Sequence, residues 1–317
     1  MNQRQPMSGA GRPLRVGLLL PTGEGLMAGE TPHWPDLLAM ARRAEELGYD
    51  SLWVPDHFLM RFPGRTRPPR GTWDCWTLLA ALAATTERIE IGSLVSSTTF
   101  RNPALLAWIA NTVDDVSGGR LILGVGAGDA PLEHEALGVP YDRRASRFEE
   151  AIQIITSLLR DGTSTFDGTF YQTRDAELRP RGPRPSGPPI MIGTGTRGPR
   201  MLRLAARYGD MWNAWLAFGR SQPDAIPPLR EAVDAACRDV GRDPATLARS
   251  VAVQVDYLGR EEYPEGLAPL TGSPEDLAEQ FRAFAHEGIN HIQVVLRPTT
   301  LETIERLAPV LELLDRG

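Results

Sequence analysis

The chain has 317 residues with a formal net charge of −6, and 42% of them are hydrophobic. The negative charge argues against a nucleic-acid partner, and no apolar run of about 18 residues or more would span a membrane. Cys75 and Cys237 are too few for a disulfide framework, so a cytoplasmic protein is expected.

All basic residues of the chain are arginine, because lysine is absent. This excludes Schiff-base chemistry at a lysine and a phosphate loop that depends on one. The abundance of Ala, Gly, Pro and Arg favours GC-rich codon usage as the cause. No metal is expected, because the residues singled out for chemistry are not a set of metal ligands.

The predicted elements alternate regularly after the first 13 residues, which lack the apolar core of a secretory signal and are expected to be a disordered tail. Strands are predicted at residues 15–20, 51–54, 90–95, 121–125, 190–192, 210–213, 251–256 and 291–296. Helices are predicted near residues 34–47, 76–85, 104–116, 145–160, 200–208, 228–240, 274–287 and 301–314.

Eight alternating pairs predict one α/β domain over residues 14–317, a single (β/α)8 TIM barrel. An open doubly wound sheet is the alternative, because the number of strands does not prove that the sheet closes. Three insertions interrupt the alternation, at residues 57–75, 127–144 and 165–187. The third begins with a hairpin signal at Asp167-Gly168. In a barrel, insertions after strands lie at the C-terminal face, so the first two should cover the active site and the third should join them.

Polar and glycine residues follow several of the predicted strands. Asp56 and His57 follow the second, where a carboxylate beside an imidazole can tune a proton donor, although the pair could equally cap the strand. Ser96–Ser97 and two threonines end the third strand. Gly126-Ala127-Gly128 follows the fourth, and glycines there let backbone approach a ligand. Gly193-Thr194-Gly195-Thr196 follows the fifth and precedes a helix, whose N–H groups favour an anion, although a structural turn is the alternative.

Five segments in this order resemble the luciferase-like oxidoreductases, which are TIM-barrel enzymes that use flavin mononucleotide (FMN) or the deazaflavin coenzyme F420. They are residues 47–58 (LGYDSLWVPDHF), 91–128, 147–159, 188–215 and 271–294, within a resemblance that runs from residue 14 to residue 314. The chain is most similar to the F420-dependent branch.

The resemblance implies site residues near the second and third strands. In F420-dependent members, the pair that matches Asp56 and His57 contacts the cofactor and handles a proton. A non-prolyl cis peptide lies behind the cofactor ring, and counting back from Phe100-Arg101 places it at Leu94–Val95. The position of Ser97 hydrogen-bonds the ring.

The resemblance also implies roles for the two glycine-rich strand ends. Gly126, Ala127 and Gly128 would contact the cofactor, and the loop of Gly193, Thr194, Gly195 and Thr196 would cradle its phosphate or side chain, with the two threonines adding hydroxyl donors. Asp129 occupies the position of an acidic acid/base residue of sugar-phosphate dehydrogenases, as a shorter side chain. Glu133 falls near a cofactor-contacting position, displaced by a one-residue insertion.

Two further features bear on ligands. Residues 61–70 (RFPGRTRPPR) carry Arg61, Arg65, Arg67 and Arg70 without an acidic residue, which suits a polyanionic coenzyme, an anionic substrate or simply a solvated surface. Trp73 and Trp215 fall in or beside the predicted catalytic-face loops and could wall a hydrophobic pocket.

The leading interpretation is an F420-dependent oxidoreductase that transfers a hydride between the deazaflavin and a small organic substrate. The alternative is a monooxygenase that uses reduced FMN and O₂, and a third interpretation is a non-catalytic flavin-binding barrel. Glucose 6-phosphate is disfavoured as substrate, because relatives that oxidise it grip its phosphate with two lysines. A homodimer is expected, since dimers are common in the family.

Overall fold

The computed structural model describes residues 11–61, 68–194, 198–259, 263 and 265–316. Within these residues the strands are β1 (Arg15–Leu19), β2 (Ser51–Val54), β3 (Leu59–Met60), β4 (Arg70–Gly71), β5 (Glu90–Ser93), β6 (Ser96–Ser97), β7 (Leu121–Gly126), β8 (Thr163–Asp167), β9 (Gln172–Glu177), β10 (Ile190–Gly193), β11 (Met211–Trp215), β12 (Ala248–Asp256) and β13 (His291–Arg297).

The α-helices of the same residues are α1 (Trp34–Glu46), α2 (Cys75–Thr85), α3 (Pro103–Val116), α4 (Pro131–Leu137), α5 (Arg144–Asp161), α6 (Pro199–Tyr208), α7 (Ile226–Asp239), α8 (Pro274–His286) and α9 (Leu301–Asp315). Two short 3₁₀ helices span Pro223–Ala225 and Pro244–Thr246. None of the described helices is long and apolar enough to cross a membrane.

Eight parallel strands close into a ring in the order β1, β2, β5, β7, β10, β11, β12, β13. The ring is complete because β13 pairs with β1 and β7 pairs with β10. The short strand β6 continues the line of β5 and also pairs with β7. The predicted (β/α)8 barrel is therefore confirmed, and the open doubly wound sheet is wrong.

Barrel strands form where the sequence is apolar on both faces. All six residues of β7 are buried, as expected for a parallel strand covered by helices outside and side chains inside. Gly124 in this strand lies so close to β5 that a Cβ atom there would be 1.9 Å from the carbonyl oxygen of Ser93. Glycine is therefore required where these two strands approach.

The first two insertions meet after the carboxyl ends of their strands. Residues 57–75 contain the small antiparallel pair β3–β4, and residues 127–144 contain α4, a helix that was not predicted. The Glu133 carboxylate of α4 accepts hydrogen bonds from the backbone N–H groups of Phe58 and Leu59, at 2.5 and 2.9 Å. One buried carboxylate thus joins the two loops.

The third insertion meets the second through its hairpin, because the Arg143 guanidinium lies over the Phe170 ring at 4.8 Å from the ring centroid. The third insertion follows helix α5 rather than a strand, and its hairpin packs along α5, where Glu150 accepts N–H groups of residues 169–171. Arg184, beyond the hairpin, pairs with Asp114 and donates to the carbonyl of Leu121, the first residue of β7. The insertion therefore reaches the amino end of the barrel. Its turn spans residues 168–171 and is longer than the tight turn predicted at Asp167-Gly168.

Only the end of the predicted amino-terminal tail can be compared with the structure. Residues 1–10 lie outside the described part of the chain. Arg12 is held in place, because it donates to the Asp315 carboxylate, to Asp50 at 3.1 Å and to the carbonyl of Gly48 at 2.8 Å. The expected disordered segment therefore does not extend to residue 13.

Candidate active site

Asp56 lies directly after β2 with its carboxylate buried. Its Oδ2 atom accepts hydrogen bonds from Arg101 Nη1 at 2.6 Å and from the Ser97 backbone N–H at 3.2 Å. Arg101 also donates to Asp74 Oδ2 at 2.9 Å. The other oxygen, Asp56 Oδ1, is buried and has no hydrogen-bond partner among the described residues. An unpaired buried acceptor is rare, and a donor from a ligand or from an ordered water would satisfy it.

The charge of Asp56 is set by two opposing effects. Burial raises the pKa of this carboxyl above its ordinary value, and the Arg101 guanidinium opposes that shift. The ion pair is itself largely withdrawn from solvent, since the side chains of Arg101 and Asp56 are 12% and 0% exposed. Removing either partner would therefore leave a buried charge without compensation.

His57 follows Asp56, and its side chain is 34% exposed. Its Nδ1 lies 2.9 Å from Glu133 Oε2. Because an ionised carboxylate can only accept, Nδ1 carries the proton of this bond. Nε2 makes no hydrogen bond to the described residues, so it is the atom that can exchange a proton with a ligand.

The pKa of His57 is raised above its ordinary value. Burial lowers it, but the hydrogen bond and charge of Glu133, followed by the charges of Asp129 and Asp56, outweigh that effect. For Glu133, burial raises the pKa of the carboxyl. The hydrogen bonds from His57 and from the backbone N–H groups lower this pKa by more, so the net shift is downward. His57 therefore holds its second proton at higher pH than an isolated histidine.

Glu133→Gln should lower the pKa of His57, because glutamine removes the carboxylate that stabilises the imidazolium. The measurement is a pH titration of the His57 ring resonances by NMR. Asp129→Asn is the matched control and should shift the pKa in the same direction by less. The raised pKa stabilises the folded protein below the ordinary histidine pKa, and this contribution is lost as the pH rises through the raised value. An unchanged titration in Glu133→Gln would contradict this assignment.

Asp56 acts on His57 through its charge, and the hydrogen bonds of the two side chains go to other partners. The Asp56 carboxylate bonds Arg101 and Ser97, and its charge is the last of the effects that raise the pKa of His57. The partner of His57 is Glu133, for which the sequence implied a cofactor contact. Both Glu133 oxygens are engaged by His57 and by the backbone of the first insertion.

The peptide bond between Leu94 and Val95 is cis, which confirms the prediction of where this bond lies. The Val95 side chain fits against two glycines at neighbouring strand ends. A Cβ atom at Gly126 or at Gly193 would lie 2.7 or 3.0 Å from Val95 Cγ2. These glycines therefore provide space for Val95, and their contact with the ligand stays a prediction.

The loop after β10 is described only as far as Thr194, so its role in cradling the cofactor stays a prediction. The Thr194 N–H donates to the carbonyl of Asn213 at 3.2 Å, and its hydroxyl oxygen accepts from Trp212 Nε1 at 3.0 Å. This N–H is therefore not available to an anion, although the hydroxyl proton is. Gly195 and Thr196 lie outside the described residues.

The remaining predicted positions are spread around the mouth of the barrel. Asp129 is exposed and its backbone carbonyl accepts from Tyr141 Oη at 3.3 Å, while Ala127 and Gly128 are half-buried. Trp73 and Trp215 are 45% and 38% exposed. Within the arginine-rich segment, residues 62–67 lie outside the described part of the chain, and with them Arg65 and Arg67.

Sequence reasoning missed three residues that the structure brings to this site, namely Arg101, Asp74 and His134. Arg101 could have been recognised from the sequence, because it lies shortly after the polar end of the third strand, where a cation can neutralise a buried acid. Asp74 precedes α2 and accepts from the Thr77 N–H at 2.8 Å, so an N-cap signal was available. Nothing in the sequence pairs Thr99 with His134, which lie 35 residues apart.

Comparison with known proteins agrees with this architecture. Residues 14–262 match the model of the luciferase-like monooxygenase family. An F420-dependent glucose-6-phosphate dehydrogenase from Amycolatopsis mediterranei is 34% identical over 247 residues, which are 76% of this chain and 72% of that relative.

Two solved structures share the fold at low identity. An F420-dependent secondary alcohol dehydrogenase in complex with an F420–acetone adduct has a TM-score of 0.78 and 20% identity, covering 96% of this chain and 99% of that chain. The oxygenating constituent of 3,6-diketocamphane monooxygenase from Pseudomonas putida, in complex with FMN, has a TM-score of 0.72 and 17% identity, covering 96% and 98%. The fold thus accommodates either cofactor in other proteins. The match of residues 14–262 to the family model shows that this chain belongs to the luciferase-like monooxygenase family.

Proposed function

We propose that the protein is a coenzyme F420-dependent oxidoreductase that transfers a hydride between the deazaflavin and a small organic substrate. The observation that carries this proposal is the pair of adjacent groups after β2. Asp56 offers a buried unpaired acceptor, and His57 offers an unbonded Nε2 with a raised pKa. The 34% identical F420-dependent relative supports the choice of cofactor.

The described residues fit a planar cofactor with hydrogen-bond donors on its edge. Asp56 Oδ1 would accept one such donor, and the backbone N–H of Ser97 donates to the other oxygen of the same carboxylate. Thr194 would contribute a hydroxyl proton toward the cofactor's phosphate or side chain. When bound, F420 supplies the hydride chemistry, and the protein contributes positioning and electrostatics.

The protein's own part in the reaction is to hold and move a proton. Glu133 fixes the His57 ring through Nδ1, so that Nε2 is the site of exchange. In the direction of substrate reduction, protonated His57 would give its Nε2 proton to the substrate atom that becomes a hydroxyl or amine. In the direction of oxidation, neutral His57 would take that proton, so the two directions should have opposite pH dependence.

The residues at the barrel mouth favour a substrate with apolar surface. Trp73, Trp215 and Phe218 are exposed large aromatic side chains at the ends of barrel strands or in the loops that follow them. Trp215 and Phe218 lie together, with ring centroids 5.9 Å apart. Since the chain has no lysine, a phosphate group on the substrate would have to be held by arginine or by backbone.

The experiment that tests the proposed activity offers reduced F420 to the protein under nitrogen with ketones, imines and enones as acceptors. Recovery of the oxidised deazaflavin absorbance that depends on both substrate and protein is expected for one of these classes. Reduced FMN with O₂ is the parallel arm. Oxygenated product from that arm, with no substrate-dependent oxidation of reduced F420, would favour the monooxygenase.

We also propose that the protein is a homodimer formed through α2 and α3, which lie side by side. The outward face of α3 is apolar at helical spacing. Leu105 and Val116 are 54% and 48% exposed, with Trp108 and Ile109 partly exposed between them. The adjacent surface of α2 consists of small residues, including Ala84. A continuous apolar patch of this kind suits contact with a second copy.

Leu105→Glu should convert the dimer to a monomer at micromolar concentration, because it places a charge within the apolar patch, at its most exposed residue. Light scattering after size exclusion measures the mass directly. Leu301→Glu is the matched control, since Leu301 is 42% exposed on α9, outside the patch. A monomeric parent protein, or a Leu105→Glu variant that stays dimeric like the control, would contradict the proposed interface.

A further inference from the structure

Three buried side chains, Ser97, Thr99 and His134, form a hydrogen-bond chain beside the Asp56 site. Ser97 Oγ is 2.7 Å from Thr99 Oγ1, and Thr99 Oγ1 is 2.8 Å from His134 Nε2. The other ring nitrogen, His134 Nδ1, is 2.9 Å from the carbonyl oxygen of Ala130. The chain begins at Ser97, whose backbone N–H is bonded to Asp56. It ends on a backbone group of the turn before α4.

The contact between His134 and the carbonyl oxygen of Ala130 sets the direction of the other hydrogen bonds in this hydrogen-bond chain. A carbonyl oxygen can only accept, so His134 Nδ1 must carry a hydrogen. In the neutral imidazole the other nitrogen, Nε2, is then an acceptor, and the Thr99 hydroxyl donates to it. Because that proton is used, Thr99 accepts from Ser97. The Ser97 proton is therefore directed away from the ligand side, and lone pairs of Oγ remain.

Packing keeps this arrangement in place. His134 is 1% exposed, and its ring lies against Phe100 and Tyr141, with centroid separations of 5.1 and 5.0 Å. A Cβ atom at Gly128 would lie 2.5 Å from Ser97 Oγ and 3.0 Å from His134 Cε1. The absence of a side chain at Gly128, whose φ is +73°, thus lets the backbone close over the chain.

We propose that His134, acting through Thr99, makes Ser97 Oγ a hydrogen-bond acceptor toward the cofactor, so that Ser97 selects a ring N–H or hydroxyl rather than a carbonyl. This inference rests on the proposed function. Asp56 Oδ1 is a second acceptor at the same edge of the site. His134 and Thr99 are positioning residues, since they act through Ser97.

The tautomer of His134 is tested first, on the free protein with ¹⁵N-labelled histidine. The ¹⁵N shifts of its two ring nitrogens, assigned by the loss of signals in His134→Gln, should show hydrogen on Nδ1 and none on Nε2 at neutral pH. Hydrogen on Nε2, whether in the other neutral tautomer or in the imidazolium, would overturn the proposal. This readout does not depend on which cofactor binds.

The second test compares Thr99→Val with Thr99→Ser, which remove and retain the hydroxyl at nearly constant shape. Binding of F420 should weaken about fivefold in Thr99→Val, the effect of one ordinary hydrogen bond, and should be within about twofold of the parent in Thr99→Ser. Binding of F420 to Thr99→Val as tight as to the parent would overturn the proposal.

Methylated analogues of the deazaflavin identify which cofactor group donates a hydrogen bond to Ser97 Oγ. A deazaflavin methylated at its imide nitrogen, or at its ring hydroxyl, should bind the parent about fivefold or more weakly than F420, according to which group meets Ser97. Ser97→Ala should lose that discrimination. If neither methylation weakens binding to the parent, the acceptor role is wrong. Should F420 itself fail to bind, the proposed function is wrong, and FMN and its N3-methyl analogue then serve as the probes for the same comparison.

Discussion

His57→Ala is expected to lower turnover on the true substrate by about 10²–10⁴-fold, the usual contribution of general acid–base catalysis. The reason is that His57 Nε2 carries no hydrogen bond to the described residues, while Nδ1 is fixed by Glu133. Cofactor affinity should fall much less, because the Asp56 acceptor and the backbone contacts remain. Steady-state kinetics together with a cofactor titration separates the two effects.

His57→Asn is the matched control for this experiment. The asparagine amide can still donate to Glu133 but has no atom in the place of Nε2, so its turnover should be as low as that of His57→Ala. If His57→Asn keeps near-normal turnover, the histidine only holds the loop through Glu133. Attention would then move to Asp129, whose charge contributes to the raised pKa of His57.

Asp56→Asn is expected to have the second-largest effect, on both stability and binding. It leaves the Arg101 guanidinium, 12% exposed, with Asp74 as its remaining carboxylate partner. Breaking a buried ion pair costs about 3 kcal/mol of unfolding free energy. Asparagine would also place an N–H₂ group at the site, so F420 affinity should fall about 10²-fold, roughly 3 kcal/mol.

Asp74→Asn is the matched control, because Asp74 binds the same arginine but is 38% exposed. Asparagine is also an adequate N-cap for α2, so this variant should lose little stability. Chemical denaturation and cofactor titration measure the two quantities. Equal losses in Asp56→Asn and Asp74→Asn would show that the buried carboxylate has no special role in binding.

Much of the fold was predictable because it depends on local apolar patterning. Strands such as β7 are buried on both faces and appear as continuous apolar runs, and the helices between them have a clear helical period. Closure of the barrel was inferred from the number of pairs. The position of the cis bond at Leu94–Val95 came from the family resemblance, counted from Phe100-Arg101, and no composition or spacing rule would have located it.

Helix α4 was missed for a local reason. It has only seven residues, and Ala130 at its N-cap makes no side-chain cap hydrogen bond, although Pro131 in its first turn and Gly138 at its end were signals that could have revealed it. It nevertheless carries Glu133 and His134, whose partners Phe58 and Thr99 lie in other loops. Such contacts depend on how two insertions pack together, and a single sequence does not record that.

The third insertion starts at the opposite end of the barrel from the other two, for a topological reason. The sequence showed a hairpin signal and a Pro/Arg/Gly-rich loop between α5 and β10, but an insertion after a helix starts at the amino end of a barrel. Gly126 and Gly193 have a packing role that the sequence did not reveal. Each would crowd Val95 if it carried a side chain, and their contact with the ligand stays a prediction.

The central claim is that this barrel binds a deazaflavin at the Asp56 and His57 site, and equilibrium titration of the purified protein with F420 and with FMN tests it most directly. Fluorescence of each cofactor reports binding, and Asp56→Asn serves as the site-specific variant. We expect micromolar or tighter binding of F420, weaker binding of FMN, and loss of F420 affinity in Asp56→Asn. Tighter binding of FMN than of F420, or F420 binding that is unchanged in Asp56→Asn, would contradict the claim.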